Sequence, residues 1–96
     1  MRKKRFKSVW DAIEDTPDQA ENMKLRSQLM MVLQERITQL KLTQEAAADL
    51  LDVTQPRVSD LMRGKINLFA LDVLVNMTTA TGLHIEMRIR KLKKAA

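Results

Sequence analysis

The segment Thr54–Lys65, TQPRVSDLMRGK, contains polar side chains of the kinds that bind nucleic acid. Gln55 and Arg57 carry the amide and guanidinium groups that pair bidentately with the edges of adenine and guanine. Hydroxyl groups, cations and helix N-termini commonly hold phosphate oxygens. Groups of this second kind are Thr54, Ser59, Arg63 and Lys65, together with the helix N-terminus expected at Gln44. The chemistry indicated is hydrogen bonding to a polyanion.

Two short helices joined by a tight turn are predicted to position these side chains. The first starts at Thr43 and the second at Thr54, and Gly64 stops the second. They can cross closely because the residue at the crossing, Ala48, is small. The side chains expected to fill the angle between the helices and to reach the core are Val53, Val58, Leu51 and Leu61. Helix, turn, helix is the unit whose second helix enters the major groove of DNA.

Three further helices are predicted around this pair. Ser8 caps a short one, in which Phe6, Val9, Trp10 and Ile13 recur at near-helical spacing. A capping box at Thr16 and an apolar stripe predict a long helix to about Lys41. The last helix is expected to run from Leu71 to Thr81.

The segment 83–90, LHIEMRIR, alternates strictly between apolar and polar residues. Its apolar positions are Leu83, Ile85, Met87 and Ile89, and period 2 predicts a half-buried strand. Nothing else in the sequence resembles a partner strand, so we expect this strand to pair with its copy in an antiparallel dimer. The alternative is an edge strand of another protein. The predicted fold is therefore all-α, with five helices and one C-terminal strand that pairs in a dimer.

Length and composition exclude most other functions. Ninety-six residues fit one domain, and the absence of cysteine excludes disulfide frameworks, thiolate zinc sites and cysteine nucleophiles and suits a cytoplasmic location. With one histidine, His84, no Gly-rich phosphate loop and no metal-ligand cluster, we expect neither an enzyme nor a cofactor. No apolar run approaches the roughly 20 residues that cross a bilayer, and no signal peptide is predicted.

The net charge of +5 lies in the two ends. Residues 1–7 carry +5, residues 8–23 carry −5, residues 24–87 are neutral and residues 88–96 carry +5. The segment Gln44–Arg63 is itself −2, from two arginines and four acids. Nucleic-acid binding is therefore predicted from residue spacing and not from net charge. The basic ends either hold phosphates or remain solvated.

The segment Leu42–Lys65, LTQEAAADLLDVTQPRVSDLMRGK, resembles the helix-turn-helix of the XRE family, which is Cro/lambda-repressor-like. The matching residues are Gln44, Ala48, Val53, Val58 and the Arg63–Gly64 pair. The resemblance implies a lambda-repressor-like domain, with Gln44 bracing a phosphate contact and Gln55 and Arg57 at base-reading positions. One departure is Asp52, where the family usually has glycine in a left-handed turn. Aspartate tolerates that conformation at a modest cost in stability.

The wider arrangement resembles the HigA-type antitoxins, which neutralise a RelE-like ribonuclease toxin and repress their own operon as dimers. It implies an N-terminal segment 1–22, a DNA-binding domain 23–82, and a C-terminal strand and basic tail 83–96. The implied partners are a palindromic operator in double-stranded DNA, a second copy and a RelE-like toxin. Phe6, Trp10 and Ile13 either anchor that partner or pack on their own domain. A stand-alone XRE-type repressor without a toxin is the alternative, and an N-terminal inhibitory module with incidental DNA contact is a third.

Overall fold

The computed structural model describes residues 17–91, which fold around one long helix. The α-helices are α1 (Pro17–Gln39), α2 (Gln44–Leu51), α3 (Gln55–Met62) and α4 (Leu71–Ala80), and a 3₁₀ turn, η1 (Ile66–Leu68), lies between α3 and α4. α1 packs along α4 and also contacts α3 and η1, while α2 crosses α3 and contacts α4. The two short helices thus pack against each other and against the pair formed by α1 and α4, with α3 on α1 and α2 on α4.

The core lies where the four helices meet. α1 buries a narrow stripe at Met30, Leu33 and Ile37, a spacing of three and four residues that keeps one helix face inward. The remaining buried apolar residues are Ala47, Ala48, Leu51, Val58, Leu61, Phe69, Leu74 and Met77. The two alanines let α2 approach its neighbours closely. The predicted burial of Ala48, Val58 and Leu61 is confirmed.

Threonine caps start both short helices, as the sequence predicts. The Thr43 hydroxyl oxygen accepts a hydrogen bond of 3.0 Å from the backbone N–H of Ala46. The Thr54 hydroxyl oxygen accepts one of 3.3 Å from the backbone N–H of Arg57. Each cap satisfies a helix donor that has no partner within the helix and contributes about 1 kcal/mol of stability.

Three helix ends share one backbone arrangement. A residue with positive φ follows α1, α2 and α3: Lys41 (φ 56°), Asp52 (φ 60°) and Gly64 (φ 77°). The next residue then donates its N–H back to a carbonyl five residues earlier, as in Val53 to Ala48 at 3.0 Å, which is the Schellman arrangement. Asp52 therefore adopts the left-handed turn expected of it, in a position where glycine has no steric cost.

The predicted fold is wrong in its helix count and in its C-terminal strand. Residues 17–91 hold four α-helices and no strand. The alternation over 83–90 gives the chain an apolar side, but a strand also needs a partner to complete its ladder, and no described residue supplies one. The short helix expected after Ser8, and the cap at Thr16, lie outside the described residues.

A groove of about 580 Å³ lies between α1, α4 and the segment that follows α4. It is largely apolar and is lined by Leu25, Leu29, Val32, Leu71, Val75 and Ile85, among others. Leu25 and Val32, two apolar residues of α1, are partly exposed here. Met31 and Met87 are 61% and 77% exposed. The apolar face of α1 is thus wider than its described neighbours cover.

Candidate nucleic-acid interface

Helix α3 presents one polar face to solvent. Its apolar face is fully buried through Val58 and Leu61, which pack into the core. Gln55 and Pro56 at its first turn and Arg63 just beyond its end are exposed. A helix of eight residues is about 12 Å long, and with one face packed and the other free it can enter the major groove of DNA.

The seven residues predicted to contact DNA differ in exposure. Gln44, Thr54, Gln55, Arg63 and Lys65 are exposed, whereas Arg57 and Ser59 are half-buried. Thr54, Gln55 and Arg57 lie together at the first turn of α3, and Arg63 and Lys65 lie together just after its end. Gln44 is the first residue of α2. The predicted set therefore divides among the two ends of α3, its middle at Ser59 and the start of α2.

Arg57 stacks on an aromatic ring. The central carbon of its guanidinium lies 4.3 Å from the centroid of the Phe69 ring, and Phe69 is fully buried. A cation over an aromatic face is attracted by about 0.5–2 kcal/mol. The side chain predicted to read base edges is thus held against the ring of Phe69.

Phe69 is the residue of this region that sequence reasoning missed. It follows η1 and precedes α4, where no helical or strand periodicity marks it as buried. The only signal is composition, because the sequence has three aromatic residues and Phe69 is the one that lies beyond Trp10. In a chain so poor in aromatics, a single phenylalanine beside the helix-turn-helix is a candidate partner for its arginines.

One acidic side chain lowers the positive charge at the end of α3. The Lys65 ammonium nitrogen lies 3.6 Å from a carboxylate oxygen of Asp60, with the two side chains 46% and 28% exposed. An ion pair this open to solvent contributes little to stability, about 0–1 kcal/mol. Its larger effect is electrostatic, since the carboxylate offsets a cation that could otherwise hold a phosphate.

Residues 17–91 contain neither of two other kinds of feature, a metal-binding cluster and a membrane-spanning helix. Among residues 17–91, no three His, Asp or Glu side chains come together as a metal site would require. His84 is exposed, with its Nε2 atom 3.9 Å from a carboxylate oxygen of Glu86. Over the same residues, no helix has the length and apolar character needed to cross a membrane.

Comparison with known proteins identifies the family. A family model described as a helix-turn-helix domain matches residues 12–90. A solved structure described as an XRE family transcriptional regulator is 32% identical, with a TM-score of 0.73 over 83% of this chain and 89% of that one. A search of curated proteins finds no match. The chain therefore belongs to the helix-turn-helix domain family and is a DNA-binding transcriptional regulator of the XRE type.

Proposed function

We propose that this protein is a sequence-specific repressor that binds a palindromic operator as a homodimer, with α3 as the DNA-reading helix. The observation that carries the proposal is the division of α3 into a buried face at Val58 and Leu61 and an exposed first turn at Gln55. The first turn of a recognition helix is the part that contacts base edges in helix-turn-helix proteins.

The proposed roles follow from side-chain chemistry. Gln55 and Arg57 read bases, since their amide and guanidinium groups match adenine and guanine edges. The residues proposed to hold the phosphate backbone are Gln44, Thr54, Ser59, Arg63 and Lys65. The Thr54 hydroxyl oxygen is already occupied as a helix cap, but its hydrogen remains available for a phosphate oxygen.

A second copy is proposed to cover the apolar groove between α1, α4 and the segment after α4. Exposed apolar side chains support this: Met31 on α1 is 61% exposed, and Met87 and Ile89 are 77% and 83% exposed. Leu83 and Ile85 of the same segment are half-buried and extend the patch. In the resulting dimer the two α3 helices would lie about 34 Å apart, one turn of DNA. Light scattering on the Met87→Glu variant tests the interface, and a wild-type chain that remains monomeric at micromolar concentration contradicts it.

Selection from a library of random DNA duplexes tests the repressor proposal. The wild-type chain should enrich one palindromic motif, and Gln55→Ala should relax the preference at one base pair in each half-site. Gln39→Ala is the matched control, because Gln39 is an exposed glutamine at the end of α1, outside the helix-turn-helix. Equal enrichment by the wild-type chain and Gln55→Ala would remove Gln55 from the base-reading set.

We further propose that the repressor is the antitoxin of a RelE-like toxin. The support is the resemblance to HigA-type antitoxins and the sequence of the N-terminal segment. Trp10 and Ile13 fall within the acidic stretch 8–23, whose charge suits a basic partner, and Phe6 precedes that stretch. A neighbouring reading frame encoding a basic RelE-like protein, captured by the full chain and not by a chain lacking residues 1–16, is the expected result. Capture that survives the deletion removes these residues as the anchor, and a neighbour of another kind favours a stand-alone repressor.

A further inference from the structure

We propose that Phe69 positions the guanidinium of Arg57 for base reading, and thereby sets the sequence preference of α3 without contacting DNA itself. The inference rests on the proposed function, because it takes α3 to be the DNA-reading helix. It adds a specificity-determining residue that lies outside the helix-turn-helix segment.

The stacking geometry leaves the hydrogen-bonding part of Arg57 available. The guanidinium carbon lies over the Phe69 ring, 4.3 Å from its centroid, a distance that allows the guanidinium face to lie against the ring. The N–H donors of a guanidinium lie in its plane and point outward from its edge. Face and edge can therefore be used together, with the face on Phe69 and the edge on the oxygen and nitrogen of a guanine.

The backbone that carries the Phe69 ring is held by hydrogen bonds to η1 and from α1. Phe69 has no exposed surface, and its backbone N–H donates to the carbonyl of Ile66 at 3.1 Å. From α1, the Nη1 atom of Arg26 donates to the carbonyl oxygens of Phe69 at 3.3 Å and Ile66 at 3.4 Å. The long helix thus fixes the turn that carries the ring, and the ring in turn fixes an otherwise flexible arginine.

A preorganised arginine discriminates better than a free one. A solvated arginine side chain must lose rotamer freedom when it pairs with a base, and this cost opposes binding. Stacking on Phe69 removes part of that freedom before DNA arrives. The opposing interpretation is that Arg57 only covers the ring and leaves base reading to Gln55. The two interpretations predict different behaviour when the ring is removed.

The test is the effect of Phe69→Leu on discrimination between base pairs. The probe is the duplex that the wild-type chain selects, together with duplexes changed one base pair at a time. Phe69→Leu keeps an apolar side chain in the core and removes the aromatic face. We expect discrimination to fall about threefold to tenfold at one base pair, the same pair at which Arg57→Ala loses it. The slope of affinity against salt should not change, because the phosphate contacts remain.

The outcomes of this test separate the proposed role of Phe69 from a structural one. A purely structural effect lowers binding to every duplex by the same factor, and thermal unfolding of the variant shows the accompanying loss of stability. If Phe69→Leu does not fold, Phe69→Met takes its place. In the Arg57→Ala background, Phe69→Leu should cause no further loss of discrimination, and a further loss overturns the proposal. Unchanged discrimination by a folded variant also overturns it. A wild-type chain that selects no duplex overturns the proposed function instead, before Phe69 is tested.

Discussion

The side-chain amide of Gln34 donates a hydrogen bond of 2.8 Å to the carbonyl oxygen of Leu61. The same oxygen accepts the backbone N–H of Gly64 at 3.1 Å, in the turn that ends α3. One carbonyl thus joins the long helix α1 to the last turn of the DNA-reading helix. Late carbonyls of a helix lack intrahelical partners, and this one accepts two donors, one from the turn after α3 and one from α1.

Replacing Gln34 by alanine should lower the free energy of unfolding by about 1–2 kcal/mol, since the carbonyl of the buried residue Leu61 loses one of its donors. Urea denaturation measures the change. Gln39→Ala makes the same substitution at an exposed position of α1 and should change stability by less than about 0.5 kcal/mol. Equal effects of the two substitutions would show that loss of a glutamine side chain from α1 in general, and not the bond to Leu61, accounts for the change.

Glycine at position 52 should stabilise the protein by about 0.5–1 kcal/mol. Asp52 holds a left-handed conformation that costs an L-residue energy, and its carboxylate lies at the negative end of the α2 dipole. Thermal unfolding of Asp52→Gly measures the gain. The paired variant Lys41→Gly relieves a similar conformation but removes a favourable cation from the end of α1, so its gain should be smaller. A decrease in melting temperature for Asp52→Gly contradicts the prediction.

Thr54 should contribute to stability as a helix cap and, in addition, to DNA binding as a phosphate contact. Thr54→Ala loses the helix cap and should cost about 1 kcal/mol, as should Thr43→Ala at the start of α2. Only the substitution at position 54 is expected to weaken DNA binding further, once the folded fraction is taken into account. Thr54→Ser, which keeps the oxygen, should restore both properties. Identical DNA affinities for the two alanine variants would remove Thr54 from the proposed phosphate contacts.

Neutralising Asp60 should tighten DNA binding. Asp60→Asn releases Lys65 from its ion pair and removes a negative charge beside the proposed phosphate contacts, so we expect about a threefold gain in affinity at low salt. The gain should shrink as salt is added. Asp72→Asn changes the net charge equally but at the first turn of α4, outside the helix-turn-helix. An equal gain from both variants would show a long-range charge effect and no particular role for Lys65.

The helix-turn-helix could be predicted from sequence because its determinants are local. Thr43 and Thr54 start helices through hydrogen bonds to residues three positions away, and Asp52 turns the chain within a few residues. The burial of Ala48 and Val58 follows from the short distance between two consecutive helices. Each of these features depends on a few neighbouring residues, so a motif of about 20 residues contains enough information.

The remaining features depend on contacts between distant parts of the chain. A strand over 83–90 needs a partner strand, and strict alternation cannot supply one within the described residues. The stacking of Arg57 on Phe69 joins residues twelve positions apart, across the end of one helix and a 3₁₀ turn. Met31 looks like a core residue by type, yet the face of α1 on which it lies has no described neighbour to bury it.

The central claim is that α3 reads a DNA sequence, and the specificity ratio tests it most directly. The measurement is the affinity of the wild-type chain for its selected duplex, divided by its affinity for a scrambled duplex at the same salt concentration. A helix-turn-helix repressor should give a ratio of about 10³ or more, and Arg57→Ala should cost about 1–3 kcal/mol of it at one base pair. A ratio near one for the folded wild-type chain contradicts the claim.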